Sequence, residues 1–174
     1  MRKAIFLVGV ILLAANVSRA QDVPSAEVSA SYSFFRLGFS NGLNQNGVSF
    51  SAAGNLNHWL GIAADFGGYH ASPAGVGVTT YTYLGGPRFS YRQSRNVTPF
   101  AQVLLGGARG TASVLGVSVS ANGFAYSTGG GVDLGISNHL ALRPQFDYIG
   151  MRISGQTVNT ARVSFGIVFR FGNR

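Results

Sequence analysis

The sequence predicts an all-β fold, an eight-stranded antiparallel transmembrane up-and-down β-barrel. Three observations carry that expectation. Segments that alternate apolar with polar or small residues recur along the chain, turn-forming residues separate them, and an export-type leader precedes them. Successive strand side chains point to opposite faces, so each such segment has one greasy face and one polar face. The last segment is the clearest. Ala161, Val163, Phe165, Ile167, Phe169 and Phe171 are apolar at every second position, and Arg162, Ser164, Gly166 and Arg170 fill most of the alternate slots. A soluble sheet can turn such a face toward a core. Repeated along a whole exported chain, it points to lipid.

Residues 1–20 read as a signal peptide, which leaves a barrel domain expected over 21–174. Arg2 and Lys3 form a basic start, Ala4 to Ala15 an apolar run, and Ser18-Arg-Ala20 a small-x-small cleavage site. The uncharged run falls short of the roughly 20 residues a spanning helix needs. Arg2, Lys3 and Arg19 leave with the leader, so the formal charge falls from +8 to +5. No Lys/Arg-rich run marks a nucleic-acid footprint, and export makes that partner unsuitable. Arginine suits pairing inside a barrel or at headgroups, where a planar, always-charged fork is useful. There is no Cys. Stability must come from burial and strand pairing, and a Cys-anchored lipoprotein is excluded. Gly-Asn-Arg alone follows Phe171, so no appended periplasmic domain is expected.

The alternating segments come in order. In the first, Val28, Ala30, Tyr32 and Phe34 oppose Glu27, Ser29, Ser31 and Ser33. In the second, Val48, Phe50, Ala52 and Leu56 oppose Ser49, Ser51 and Asn55. The third sets Leu60, Ile62, Ala64 and Phe66 against Gly61, Ala63 and Asp65. The fourth sets Tyr81, Tyr83, Phe89 and Tyr91 against Thr80, Thr82 and Arg88. The fifth, Phe100 to Arg109, has two candidate outer sets, and an inward Gln102 is favoured. The sixth opposes Phe124, Tyr126, Val132 and Leu134 to Ser127 and Asp133. The seventh opposes Leu140, Leu142, Phe146 and Tyr148 to Arg143, Gln145 and Asp147.

Connections are expected to alternate in kind. Short ones fall near Asn57-His58-Trp59, Gln93 to Thr98 and Ser137-Asn138-His139; longer Gly/Ser/Asn-rich ones span 38–47, 71–77, 110–121 and 154–159. Short turns on one side and long loops on the other suit an outer-membrane barrel, and an even strand count puts both termini on the short-turn, periplasmic side. Aromatics near segment ends, among them Trp59, Tyr81, Phe89, Tyr91, Phe169 and Phe171, mark interface belts. Gly106-Gly107 and Gly129-Gly-Gly131, among 25 glycines, are candidate bends.

With these residues in view, the mature chain resembles the small outer-membrane β-barrel family, which includes the transmembrane domain of outer-membrane protein A. Ser164-Phe-Gly166-Ile-Val-Phe169-Arg-Phe171 is similar to the polar-x-Gly-x-x-aromatic-x-aromatic signal that the barrel-assembly machinery reads in a final strand. The resemblance implies an assembly role for Ser164, Gly166, Phe169 and Phe171. The sequence departs from the family pattern in the Gly172-Asn-Arg174 that follows the last aromatic. Tyr83 to Arg109, with Gly-Pro-Arg-Phe-Ser-Tyr and Thr-Pro-Phe-Ala-Gln, also resembles the family. Porin-like location and fold follow from it more firmly than activity does.

Glu27, Asp65, Asp133 and Asp147 fall on the inward face, as do Arg88, Arg143, Arg162 and Arg170. Eight strands leave an interior just wide enough for side chains, so these charges must pair. Asp133 and Arg143 are equidistant from Asn138 and should meet across a hairpin. Glu27 and Arg170 should meet where the first and last strands close. The expected result is a structural plug, with a narrow gated pore as the alternative.

No catalytic, metal or cofactor residues are assigned. His58 and His139 sit at short turns and His70 near a loop at the opposite end, with no shared ligand spacing. A lipid-modifying enzyme would need a Ser, a His and an acid together; His70 has Ser72 nearby but no acid in the adjacent loop. Gly75-Val-Gly77 and Gly129-Gly-Gly131 open no helix and precede no Lys, so neither is a phosphate loop. A soluble lipocalin-type barrel is the rival fold, with aliphatic faces turned inward around a ligand. The expected partners are outer-membrane lipid and lipopolysaccharide, with the assembly machinery during insertion. No nucleic acid or small-molecule substrate is assigned.

Overall fold

Eight strands follow one another along the chain: β1 Pro24–Leu37, β2 Leu43–Asn55, β3 Leu60–Ala71, β4 Gly77–Ser90, β5 Val97–Val114, β6 Val117–Gly135, β7 Leu140–Ile153 and β8 Gln156–Asn173. The computed structural model describes residues 23–37, 43–73, 76–94, 96–114, 117–153 and 155–173, so the expected leader at 1–20 lies outside the described residues. Each strand pairs antiparallel with the next, and β8 closes on β1, giving a closed barrel. Closure satisfies backbone hydrogen bonds that an open edge would leave exposed to hydrocarbon.

The side-chain alternation is inverted relative to a soluble protein. Tyr32, Phe50, Ile62, Phe66, Tyr83 and Phe165 point outward and are exposed, whereas Glu27, Asp65, Arg88, Asp133, Arg143, Asp147 and Arg162 are buried inside. This inversion rules out the lipocalin-type arrangement. The ambiguous fifth segment resolves with Phe100, Gln102 and Leu104 inside, and Ala101, Val103 and Leu105 outside. Phe165 stands midway along β8, 66% exposed, beside Tyr32 on β1 and Pro144 on β7. Phe165→Arg should lower the stability of the refolded barrel in lipid by about 2–4 kcal/mol, the range for Arg at a bilayer midplane. Urea titration of wild type and variant in the same vesicles checks it.

Tracing the register once around the barrel fixes its stagger. The path from Glu27 runs through Ala53, Ala63, Gly86, Leu104, Ser127, Ile149 and Thr160 and returns to β1 at Leu37, ten residues further on. Over eight strands that stagger corresponds to a tilt of about 40°. It also brings residues far apart in sequence to one level of the lumen.

The connections differ from expectation on one side. Short connections at 56–59 and 136–139, and one between Ser90 and Val97, join strands at the end where β1 starts and β8 stops. Asn57 shapes the first, its Oδ1 accepting the N–H groups of Trp59 (2.9 Å) and Leu60 (2.7 Å). At the far end the described parts of 38–47, 110–121 and 154–159 are largely strand, whereas Ser72, Pro73 and Val76 in 71–77 are not. β5 and β6 pair up to Val114 and Val117, β2 begins at Leu43, and β8 at Gln156. The reason is in the residues: Val117-Ser-Val-Ser-Ala121 still alternates, and small polar side chains pair as strand where no lipid demands apolar ones.

Candidate functional site: the filled lumen

At the terminal end of the lumen, five charged groups interlock. Arg143 on β7 bonds Asp133 on β6 through both Nε and Nη2 (Nη2–Oδ2 2.8 Å), and its Nη2 also reaches Glu27 Oε2 at 3.0 Å. Arg88 on β4 bridges the same two acids, 3.2 Å from Asp133 and 3.5 Å from Glu27. Its guanidinium lies 3.7 Å above the Phe100 ring, and that of Arg143 lies 4.8 Å from it. Arg92, just past β4, donates to Glu27 Oε1 (2.8 Å), Asn55 Oδ1 (2.9 Å) and the His58 carbonyl (3.2 Å). Asn55 in turn donates to Glu27 and to the Pro24 carbonyl.

One level further in, Arg162 on β8 is fully buried and reaches two other strands. It holds Asp65 on β3 with two bonds (2.7 and 3.2 Å), Asp147 on β7 with two (2.9 and 2.8 Å), and donates to the Tyr69 hydroxyl at 2.8 Å. Gln102 and Gln145 also donate to Asp147. The Asp65 pair is bidentate, the strong kind, whereas both Arg162 bonds to Asp147 converge on Oδ2. Two glycines make room. A Cβ on Gly129 would lie 2.5 Å from Asp147 Oδ1, and one on Gly67 would lie 2.0 Å from the Tyr69 hydroxyl. Taken together, Arg88, Arg92, Arg143 and Arg162 balance Glu27, Asp65, Asp133 and Asp147. The buried charges sum to zero.

Toward the far end apolar side chains predominate in the lumen, with Gln45 and Thr160 buried among them. Phe35, Tyr69, Leu104, Ala108, Ala125, Ile149 and Met151 are buried there, with Leu37, Ile153 and Val158 packed against them. Phe35 stacks on Tyr69 with ring centroids 4.2 Å apart. Tyr69 therefore joins the two layers, its ring in the apolar tier and its hydroxyl on Arg162. Serines stitch the wall between, with Ser33 bonded to Ser49 (2.9 Å) and Ser164 (2.8 Å), and Ser29 to Ser51 (2.7 Å).

The structure brings together seven of the eight charged residues singled out from the sequence, including Asp133 with Arg143. Arg170 is the departure. It stands opposite Glu27 in register but is half-buried at the barrel mouth and forms no ion pair with it. The physical reason is competition, since both Glu27 oxygens are taken by Arg88, Arg92 and Arg143. Sequence reading missed Arg92 and Tyr69. Parity would have found both: Arg92 follows the outward Tyr91, and Tyr69 lies two and four positions beyond the inward Gly67 and Asp65. Of the four residues resembling an assembly signal, Phe169 and Phe171 point outward and Ser164 inward, while Gly166 packs so closely on Ser31 that a Cβ would lie 2.0 Å from its Oγ.

His70 lies on the outer face near the far end, with Nδ1 2.9 Å from Thr79 Oγ1 and Nε2 3.0 Å from Ser72 Oγ. The four described acids are all inside, away from it. Among the described residues no group of three His, Cys, Asp or Glu is placed to hold a metal ion.

A closed eight-stranded barrel with a greasy exterior and a polar, charge-filled interior defines an integral membrane barrel. The chain belongs to the outer membrane protein beta-barrel domain family, whose model matches residues 5–171. No curated protein matches the chain in sequence. Among solved structures it is similar to Neisserial surface protein A, at 17% identity and a TM-score of 0.74 over 84% of this chain and 97% of that one. It is also similar to Ail, the attachment invasion locus protein of Yersinia pestis (18% identity, TM-score 0.63, 85% and 99% covered). A third likeness is to the N-terminal β-barrel domain of Pseudomonas aeruginosa OprF (16%, TM-score 0.52, 82% and 97%). At these identities the likeness is one of fold.

Proposed function

We propose that this chain is a sealed outer-membrane barrel with a structural and interaction role, in contact with lipid and lipopolysaccharide and not a solute channel. One observation carries this reading: a neutral ion network and an apolar plug are stacked in series within one narrow lumen. An ion crossing it would have to break the bidentate Arg162 bonds and then shed its water against Phe35, Ile149 and Met151, a dewetted constriction. In this reading residues 1–20 are an export signal that is removed, and both termini face the periplasm. The assembly machinery engages β8, the closing strand, through Ser164, Gly166, Phe169 and Phe171. The charge network fixes closure and register, and the outer surface and far-end hairpins do the contacting. No catalytic role is assigned.

Liposome swelling tests it. Vesicles carrying the refolded barrel should respond to an isotonic pentose solution as empty vesicles do. Swelling at a rate proportional to the barrel content would favour the narrow pore instead.

A further inference from the structure

The outward face carries its own charge pattern, which the lumen does not explain. Arg36, His70 and Arg152 are each the penultimate residue of an odd-numbered strand, β1, β3 and β7, at the far end of the barrel. Arg109, on the longer β5, pairs with Tyr81 of β4 just inside the end of that strand. All four are exposed and share parity with the outward apolar residues below them. Following the register and tilt, all four lie about 22–26 Å above the level of Glu27, for a rise of about 3.3 Å per residue and strands about 4.8 Å apart. The apolar band of such a barrel is about 25 Å tall. The three arginines and His70 therefore form a ring at its upper rim.

Their surroundings fit that level. Arg152 lies beside Phe124 in register, Arg109 beside Tyr81, and Arg36 two residues above Phe34. Exposed aromatics thus mark the boundary directly beneath the cations. Asn44, Asn46 and Asn122, also outward and exposed, stand opposite Arg36, His70 and Arg109 in register. Meanwhile every described acid is inside the lumen, so among the described residues nothing outward offsets the ring.

We infer that this rim binds the phosphate groups of the outer-leaflet glycolipid, with Arg109 and Arg152, which flank Phe124, as its strongest point. A guanidinium fork matches a phosphate bidentately, and the aromatic between them packs on the first acyl carbons. Charge complementarity commits the surface to an anionic headgroup held at the apolar boundary rather than to a soluble protein. The inference rests on the reading that the barrel stands in an outer membrane, but not on whether the lumen conducts.

The test uses the refolded full chain in an uncharged maltoside detergent, titrated with diphosphoryl lipid A and followed by native mass spectrometry. Wild type should retain lipid A adducts that phosphatidylcholine does not form and that equal inorganic phosphate does not displace. R109Q/R152Q should bind lipid A about twentyfold more weakly, while R109K/R152K, which keeps the charge but loses the fork, should recover only part of the binding. Unboiled gel mobility of each variant confirms that its barrel is closed, since these side chains touch no lumen residue. Unchanged lipid A affinity in the closed double variant would overturn the proposal, as would displacement by inorganic phosphate at equal concentration. Liposome swelling on the same preparations separates this failure from a failure of the sealed-barrel reading.

Discussion

Arg162→Leu will lower the unfolding free energy of the barrel by about 3–5 kcal/mol, the cost of stranding buried charges without their partner. The magnitude follows from who is left behind. Among the described residues Asp65 has no other cation within reach, and Asp147 retains only the amides of Gln102 and Gln145. The Tyr69 hydroxyl loses its donor as well. A combined Arg162→Leu, Asp65→Asn, Asp147→Asn chain should recover most of the loss, because it removes the lone charges themselves. Arg162→Lys should recover little, since one ammonium cannot supply five directed donors to two carboxylates and a phenol. Equilibrium urea unfolding in vesicles, read by Trp59 fluorescence, measures all three. If the triple variant were no more stable than Arg162→Leu, stranded charge would not be the cause.

Arg143→Ala should cost less, near the lower end of that range at about 3 kcal/mol. Its two acids are shared: Asp133 keeps Arg88 at 3.2 Å, and Glu27 keeps Arg92 at 2.8 Å as well as Arg88. The same variant separates plug from gate. Removing Arg143 clears part of the terminal tier but leaves Arg162 and the apolar tier of Phe35, Ile149 and Met151 untouched. Stability should fall and the bilayer current should not rise. A current that appears in Arg143→Ala would make the terminal tier a gate.

These two expectations draw on different amounts of sequence information. Side-chain parity was legible nearly throughout, because a lipid-facing strand cannot place Arg162 or Asp133 outward without a large penalty. The Asp133–Arg143 pair was legible too, being local to one hairpin. Contacts across the lumen were not. Arg162 on β8 reaches Asp65 on β3 because a ten-residue stagger sets their levels, and stagger is a property of the closed barrel rather than of any segment. Glu27 and Arg170 illustrate the converse. Their register was readable from closure, but register says nothing of the Arg88, Arg92 and Arg143 side chains that converge on Glu27 first. The strand at 117–121 is hard to see in the sequence because Ser signals turns in composition, while its alternation with Val signals strand.

The apolar tier was hidden for a related reason. Phe35, Ile149 and Met151 lie on the inward face, yet each is apolar and would suit the lipid face equally well if parity slipped by one. The structure places them inside through the fixed register of β1 and β7 with β8. They give the sealed reading its weight.

The most direct measurement is a planar-bilayer recording of the wild-type barrel in symmetric molar potassium chloride, with insertion verified by heat-dependent gel mobility of the same preparation. A sealed lumen gives a baseline indistinguishable from the detergent control across the accessible voltage range. Reproducible unitary steps that scale with added protein would contradict it, and would mean that the Arg162 hub and the Phe35–Met151 plug open together.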